Sequence, residues 1–156
     1  MQIEFMISLK EQYMNAIENK TKLHEFRRRF SKVNHNFYSL IYVSSPISKV
    51  TAIVKFYPPI EGDIDDMLVL RQTHSFSNNQ EVRDYFKDSK TYHALPIKQI
   101  QLLNNPIPLK KLRELVPNFA PPQSYFRIDN DKYSVIVDHV KKTDNTKTRL
   151  PHQSLS

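Results

Sequence analysis

Apolar positions recur along this chain with two periods, and each regular stretch predicts an element. Leu9, Tyr13, Ala16 and Ile17 fall on one face at helical spacing, and Ser8 with Glu11 has the form of a capping box, so a helix is predicted up to Asn19. From Lys22 to Phe30 the period becomes two, which places Leu23, Glu25, Arg27 and Arg29 on one face of an extended run and His24, Phe26, Arg28 and Phe30 on the other. Lys22 has the opposite parity to Glu25 and can join it only from the turn before the strand. Phe37 to Val43 is almost continuously apolar, which predicts a strand covered on both faces and closed by the turn Ser44-Ser45-Pro46.

Val50 to Tyr57 reads as the next strand, broken by Pro58-Pro59. An acidic segment with Glu61, Asp63, Asp65 and Asp66 follows, then a short aspartate-capped helix over Met67 to His74. Ser77 and Gln80 suggest another capping box, with Val82, Tyr85 and Phe86 facing inward. Tyr92 to Leu95 and Ile97 to Leu103 are predicted extended. Pro108 suits the first turn of a helix whose face is Leu109, Leu112, Leu115 and Val116 and which Pro117 ends. Tyr125 to Ile128 and Tyr133 to Val140 read as a terminal hairpin around Asp129-Asn130-Asp131. Residues 141–156 are polar and aperiodic and are expected to form a disordered tail behind a single α+β domain spanning residues 1–140. With 156 residues and 39% hydrophobic content, that domain can bury a core without staples.

Charge changes the picture locally. Lys20 to Lys32 holds six cations (Lys20, Lys22, Arg27, Arg28, Arg29 and Lys32) and one anion, Glu25, so this window carries +5 of the chain's +7. A pI near 9.5 favours an anionic partner, most often nucleic acid. The single glycine excludes phosphate-cradling and dinucleotide loops, which need several. Neither a Gly-x-Ser-x-Gly elbow nor a His-Glu-x-x-His pair occurs. The acidic loop lacks calcium-loop order, and the six histidines lack ligand spacing, so no metal and no cofactor is expected. Among the histidines, His93 sits where an extended run could enter a cleft. Tyr13, Phe30, Phe37, Tyr38 and Phe56 lie in apolar periodic runs and are assigned to the core. Without cysteine there are no disulfides, and the first twenty residues form neither a signal peptide nor a membrane span, so a cytoplasmic protein without a membrane partner is expected.

Several segments, taken in order, resemble one family. Ile7-Ser8-Leu9-Lys10, a helix and Lys22-x-x-Glu25-Phe26-Arg27-Arg28 resemble the opening of the ASCH domain, a relative of the PUA-like RNA-binding fold. Tyr42-Val43-Ser44-Ser45-Pro46-Ile47-Ser48-Lys49-Val50 resembles its second strand and turn, and Ala120-Pro121-Pro122-Gln123-Ser124-Tyr125 its closing motif. Asp84-Tyr85-Phe86 and Pro106-Ile107-Pro108-Leu109 sit between them in the expected order, and together the segments span nearly residues 5–128.

The resemblance implies a PUA-like β-barrel with helices packed around it, and a cleft for RNA or a modified nucleotide. Carried over residue by residue, it places Lys10, Lys22, Glu25 and Arg27 in the first polar motif, Tyr42 and Ser44 in the second, and Gln123 and Ser124 in the third. In that cleft Lys22, Arg27 and Arg28 would meet phosphates, Glu25 would accept from a base amino group, and Tyr42 or Tyr125 would stack on a ring. An alternative is that Glu25 only pairs with Arg27 or another nearby cation and ties strands together. Some small members hydrolyse acetylated cytidine, which makes Lys22 and Glu25 candidate catalytic residues of a metal-independent amidohydrolase. The chain departs from the pattern at Lys20, where the family usually has glycine, and at Leu23, where the amidohydrolases have threonine. A protein-interaction domain using the barrel surface is a further alternative.

Overall fold

A computed structural model of the chain describes residues 1–71, 80, 84, 91–144 and 150–151. It is an α+β fold built on one curled sheet, as expected. The elements are β1 (Ile3–Leu9), α1 (Glu11–Glu18), β2 (His24–Arg27), β3 (Phe37–Val43), β4 (Lys49–Phe56), β5 (Ile60–Gly62), α2 (Ile64–Arg71), β6 (Tyr92–Pro108), α3 (Leu109–Leu115), β7 (Tyr125–Arg127), α4 (Ser134–Thr143) and β8 (Leu150–Pro151). The strand order is β2-β6-β4-β3-β1-β7, with β5 and β8 also paired to β6. β1 runs parallel to β3, and the other pairs are antiparallel.

Alternation along the strands feeds two cores on opposite faces of the sheet. Phe5, Ile7, Phe37, Ile41, Val54 and Phe56 point into the hollow of the curl, where Met14 and Ile17 of α1 join them. There the Phe37 ring packs against Phe5 at 5.3 Å, Phe30 at 5.5 Å and Phe56 at 5.3 Å. Met6, Leu40, Ile53 and Ile107 point the other way and bury Leu112 of α3 with Ile136 and Val140 of α4. Strands covered on both faces are apolar along most of their length, which explains the nearly continuous run at Phe37–Val43, broken only by the buried Ser39.

Several boundaries differ from the expectation. Residues 3–9 form a strand between β3 and β7, so the predicted helix begins only at Glu11. The capping box does not form, because the Ser8 hydroxyl donates to the Pro122 carbonyl at 2.6 Å. α1 closes in a Schellman-type turn, with Lys20 N–H bonded to Ile17 O and Thr21 N–H to Ala16 O. Lys20 there has a φ of 63°, the left-handed conformation that favours glycine, which accounts for the glycine usual at this point of the pattern. β2 ends at Arg27 rather than Phe30. The two runs expected around Pro96 are one 17-residue strand, β6.

The terminal hairpin is replaced by β7 and a helix. Tyr133, Ile136, Val137 and Val140 lie at helical spacing on the side that packs into the outer core, and that burial overrides the strand preference of the valines and isoleucine. This helix runs on to Thr143, and Leu150–Pro151 pair with β6. α2 begins at Ile64, where Asp63 and Asp66 accept each other's backbone N–H at 2.9 Å as a reciprocal cap. The box at Ser77, the inward positions Val82, Tyr85 and Phe86, and most of the tail lie outside the described residues.

Candidate functional site

The open edges of the curled sheet are β2 and β7, and side chains rather than main-chain pairing join them. Arg27, on β2, reaches across with both terminal nitrogens: Nη2 donates to Ser8 O on β1 at 2.7 Å, and Nη1 donates to Ser124 Oγ and O, just before β7, at 3.1 and 3.3 Å. Behind it Glu25 pairs with Arg27 Nη2 through Oε2 at 2.7 Å and with Lys22 Nζ through Oε1. Lys22 lies in the turn before β2, the one position from which its parity lets it meet Glu25. All three are buried: Lys22 is 3%, Glu25 5% and Arg27 6% exposed.

Desolvation on its own would raise the Glu25 pKa, but the Lys22 ammonium and Arg27 guanidinium outweigh it and hold the carboxyl below its usual range. Burial pushes the Lys22 ammonium down against the pull of Glu25, and the charge of Arg27 adds to that push. Glu25 is therefore an ionised carboxylate with both oxygens engaged, and a weak base.

Along this seam opens a cleft of about 1250 Å³, walled by Ser8 to Lys10, Tyr13, Glu25 with Arg27 to Arg29, the serines of the β3–β4 turn, and Pro121 to Tyr125. Drug-sized ligands occupy pockets of roughly 300–1,000 Å³, so it has room for more than one nucleotide. Of the ligand-binding residues expected from sequence, Lys10, Glu25, Arg27, Arg28, Tyr42, Ser44, Gln123, Ser124 and Tyr125 all line it. Lys22 does not, because it sits behind Glu25 with its ammonium 4.5 Å from the centre of the Tyr13 ring. The phosphate role expected for Lys22 thus has no geometric support.

Tyr42 is only 3% exposed, within the outer core, and offers no open face for stacking. The Tyr125 ring packs on Phe30 at 4.4 Å and Phe5 at 5.9 Å. Tyr13, assigned to the core from periodicity, is half-buried and faces the cleft, whereas Phe30, Phe37 and Phe56 are core as expected. Sequence reasoning also missed Ser8, Arg29, Ser45 and Ser48 as lining residues. The exposed Lys10, Arg28 and Arg29 make its rim basic.

His93 lies outside the cleft, with Nε2 3.2 Å from Glu61. Among the described residues, no three His, Asp or Glu side chains gather as metal ligands, and no helix is long and apolar enough to cross a membrane.

No protein-family model matches the chain. It is 31% identical over 121 residues, 78% of this chain and 81% of the other, to a Zymomonas mobilis protein described as an ASCH domain-containing ribonuclease. The chain belongs to the ASCH family. A crystal structure of ASCH from Zymomonas mobilis matches with a TM-score of 0.75 at 28% identity, covering 86% of this chain and 93% of that one. The N-terminal domain of Staphylothermus marinus McrB shares the fold at a TM-score of 0.55 and 10% identity, covering 86% of this chain and 92% of that one. In this ASCH chain the three motifs separated in sequence converge on one cleft.

One histidine next to the triad titrates with folding. His24 is buried in β2, which pushes its pKa down to about 4 from an ordinary value near 6.5. Between those values the unfolded chain takes up a proton that the folded one refuses, so stability is lost as pH falls through this window. Urea unfolding at pH 7 and pH 4.5 is expected to show about 2 kcal/mol of loss from this residue. His24→Gln removes that share, and an equal loss in both proteins would exclude His24 as its source.

Proposed function

We propose that this ASCH protein binds single-stranded RNA along the seam cleft, with backbone phosphates on Lys10, Arg28 and Arg29 and hydrogen bonds to the hydroxyls of Ser44 and Ser124. The observation that carries this reading is a basic rim around a hydroxyl-lined cleft with room for more than one nucleotide. Unpaired nucleotides present phosphates and splayed bases to such a surface, whereas a duplex hides its base edges. Tyr13 and Tyr125, both half-buried on the cleft wall, are the aromatics able to meet a base, whereas the Tyr42 ring is packed in the outer core. Glu25 is buried with each oxygen engaged by a cation, which disfavours the base-amino role expected for it.

A second reading, cleavage of the bound strand, is favoured by the relative described as a ribonuclease. The amidohydrolase alternative is weaker, because its acid–base pair, Lys22 and Glu25, is locked together with Lys22 outside the cleft. Titrating labelled single-stranded RNA at two salt concentrations, with product length read on a gel, tests both readings. Salt-sensitive binding supports the first, and shortened product supports the second. No binding at low salt overturns both and leaves the cleft to a protein partner.

A further inference from the structure

Arg27 does more than hold the seam, because its contact with Ser124 fixes what the serine hydroxyl can do. A guanidinium only donates, so Ser124 Oγ is an acceptor on the Arg27 side at 3.1 Å. The rest of Ser124 is held as well, its carbonyl accepting from Ser8 N–H at 3.0 Å and from Arg27 Nη1 at 3.3 Å. Ser124 itself is exposed on the cleft wall, so its hydroxyl hydrogen is left to point into the cleft. Accepting from a cation polarises the O–H bond and strengthens it as a donor. Arg27 is in turn aimed by Glu25, which takes Nη2 at 2.7 Å while the same nitrogen donates to Ser8 O.

We propose that Arg27 is a positioning residue that turns Ser124 into a hydrogen-bond donor for an acceptor oxygen of the bound strand. On the RNA reading above, on which this proposal rests, the oxygens concerned are the non-bridging phosphate oxygens. These carry the negative charge that a polarised hydroxyl favours. Lysine at position 27 would keep the charge beside Glu25 but lacks the fork that reaches Ser8 and Ser124 together.

The test measures affinity for one short single-stranded RNA at fixed low salt in the wild type, Ser124→Ala, Ser124→Thr, Arg27→Lys and the Arg27→Lys, Ser124→Ala double variant. Ser124→Ala should weaken binding roughly tenfold, while Ser124→Thr, which keeps the hydroxyl, stays within about twofold. In the Arg27→Lys background the same Ser→Ala change should alter affinity by less than about twofold. A merely structural role for Arg27 would leave the tenfold Ser124 effect in place, and that result overturns the proposal. Wild-type affinity in Ser124→Ala overturns it too, even if thermal melting shows that Arg27→Lys fails to fold. Should the wild type bind no RNA, the RNA reading falls and takes this inference with it. If binding persists but ignores the Ser124 hydroxyl, only the inference falls.

Discussion

Replacing Glu25 by leucine is expected to lower the unfolding free energy by about 3–5 kcal/mol, although it removes a single charge. The carboxylate stands between two buried cations, 5% exposed and bonded to both. Without it, Lys22 and Arg27 face each other in a desolvated space, and the loss is the penalty of unpaired buried charge rather than the worth of a salt bridge. Lys22→Met should cost far less, since the remaining Glu25–Arg27 pair is balanced and methionine fills much the same volume. Urea unfolding of both variants checks the asymmetry. A Glu25→Leu midpoint equal to that of the wild type would mean the triad is not what holds the seam.

The second large effect falls on the rim. Neutralising Lys10, Arg28 and Arg29 together is expected to weaken binding of single-stranded RNA about a hundredfold near 0.1 M salt. The slope of log affinity against log salt should become shallower by about 2, at roughly 0.7 per phosphate contact. These three side chains are exposed, so their removal should leave the melting temperature nearly unchanged. This separates them from Glu25 and Arg27, whose loss would unpair buried charge, damage the fold and mimic a binding defect. An unaltered slope in the triple variant would move the phosphate track away from this rim.

What could be read from the sequence divides along physical lines. β3, β4 and α3 were legible because each buries a run whose period matches its geometry. β1 was not, since Ile3–Leu9 alternates between two cores and its neighbours β3 and β7 are both distant along the chain. α4 was misread because β-branched residues favour strands locally, while packing of Tyr133, Ile136, Val137 and Val140 decides for helix.

At the site, the motif residues were legible and mostly correctly gathered. The exception is Lys22, where position along the chain was right and direction was not. Parity correctly required Lys22 to sit in the turn, but only depth tells a lysine beneath a carboxylate from one beside it. Tyr13 carried a helical signal that pointed to the core, and the extra serines carried none, because tertiary contacts decide which side chains face the cleft.

The cleft draws its lining from distant parts of the chain, since Ser8 and Lys10 join Gln123 and Ser124 there while β1 waits for β7 as its outer neighbour. During synthesis, a chain that has not yet emerged past Tyr125 therefore has one wall missing and no Ser124 for Arg27 Nη1. If the cleft binds RNA as proposed, a growing chain still tethered to its ribosome, surrounded by messenger and ribosomal RNA, has no assembled groove with which to seize either. On the RNA reading, recognition would be withheld until the last wall of the groove has left the ribosome.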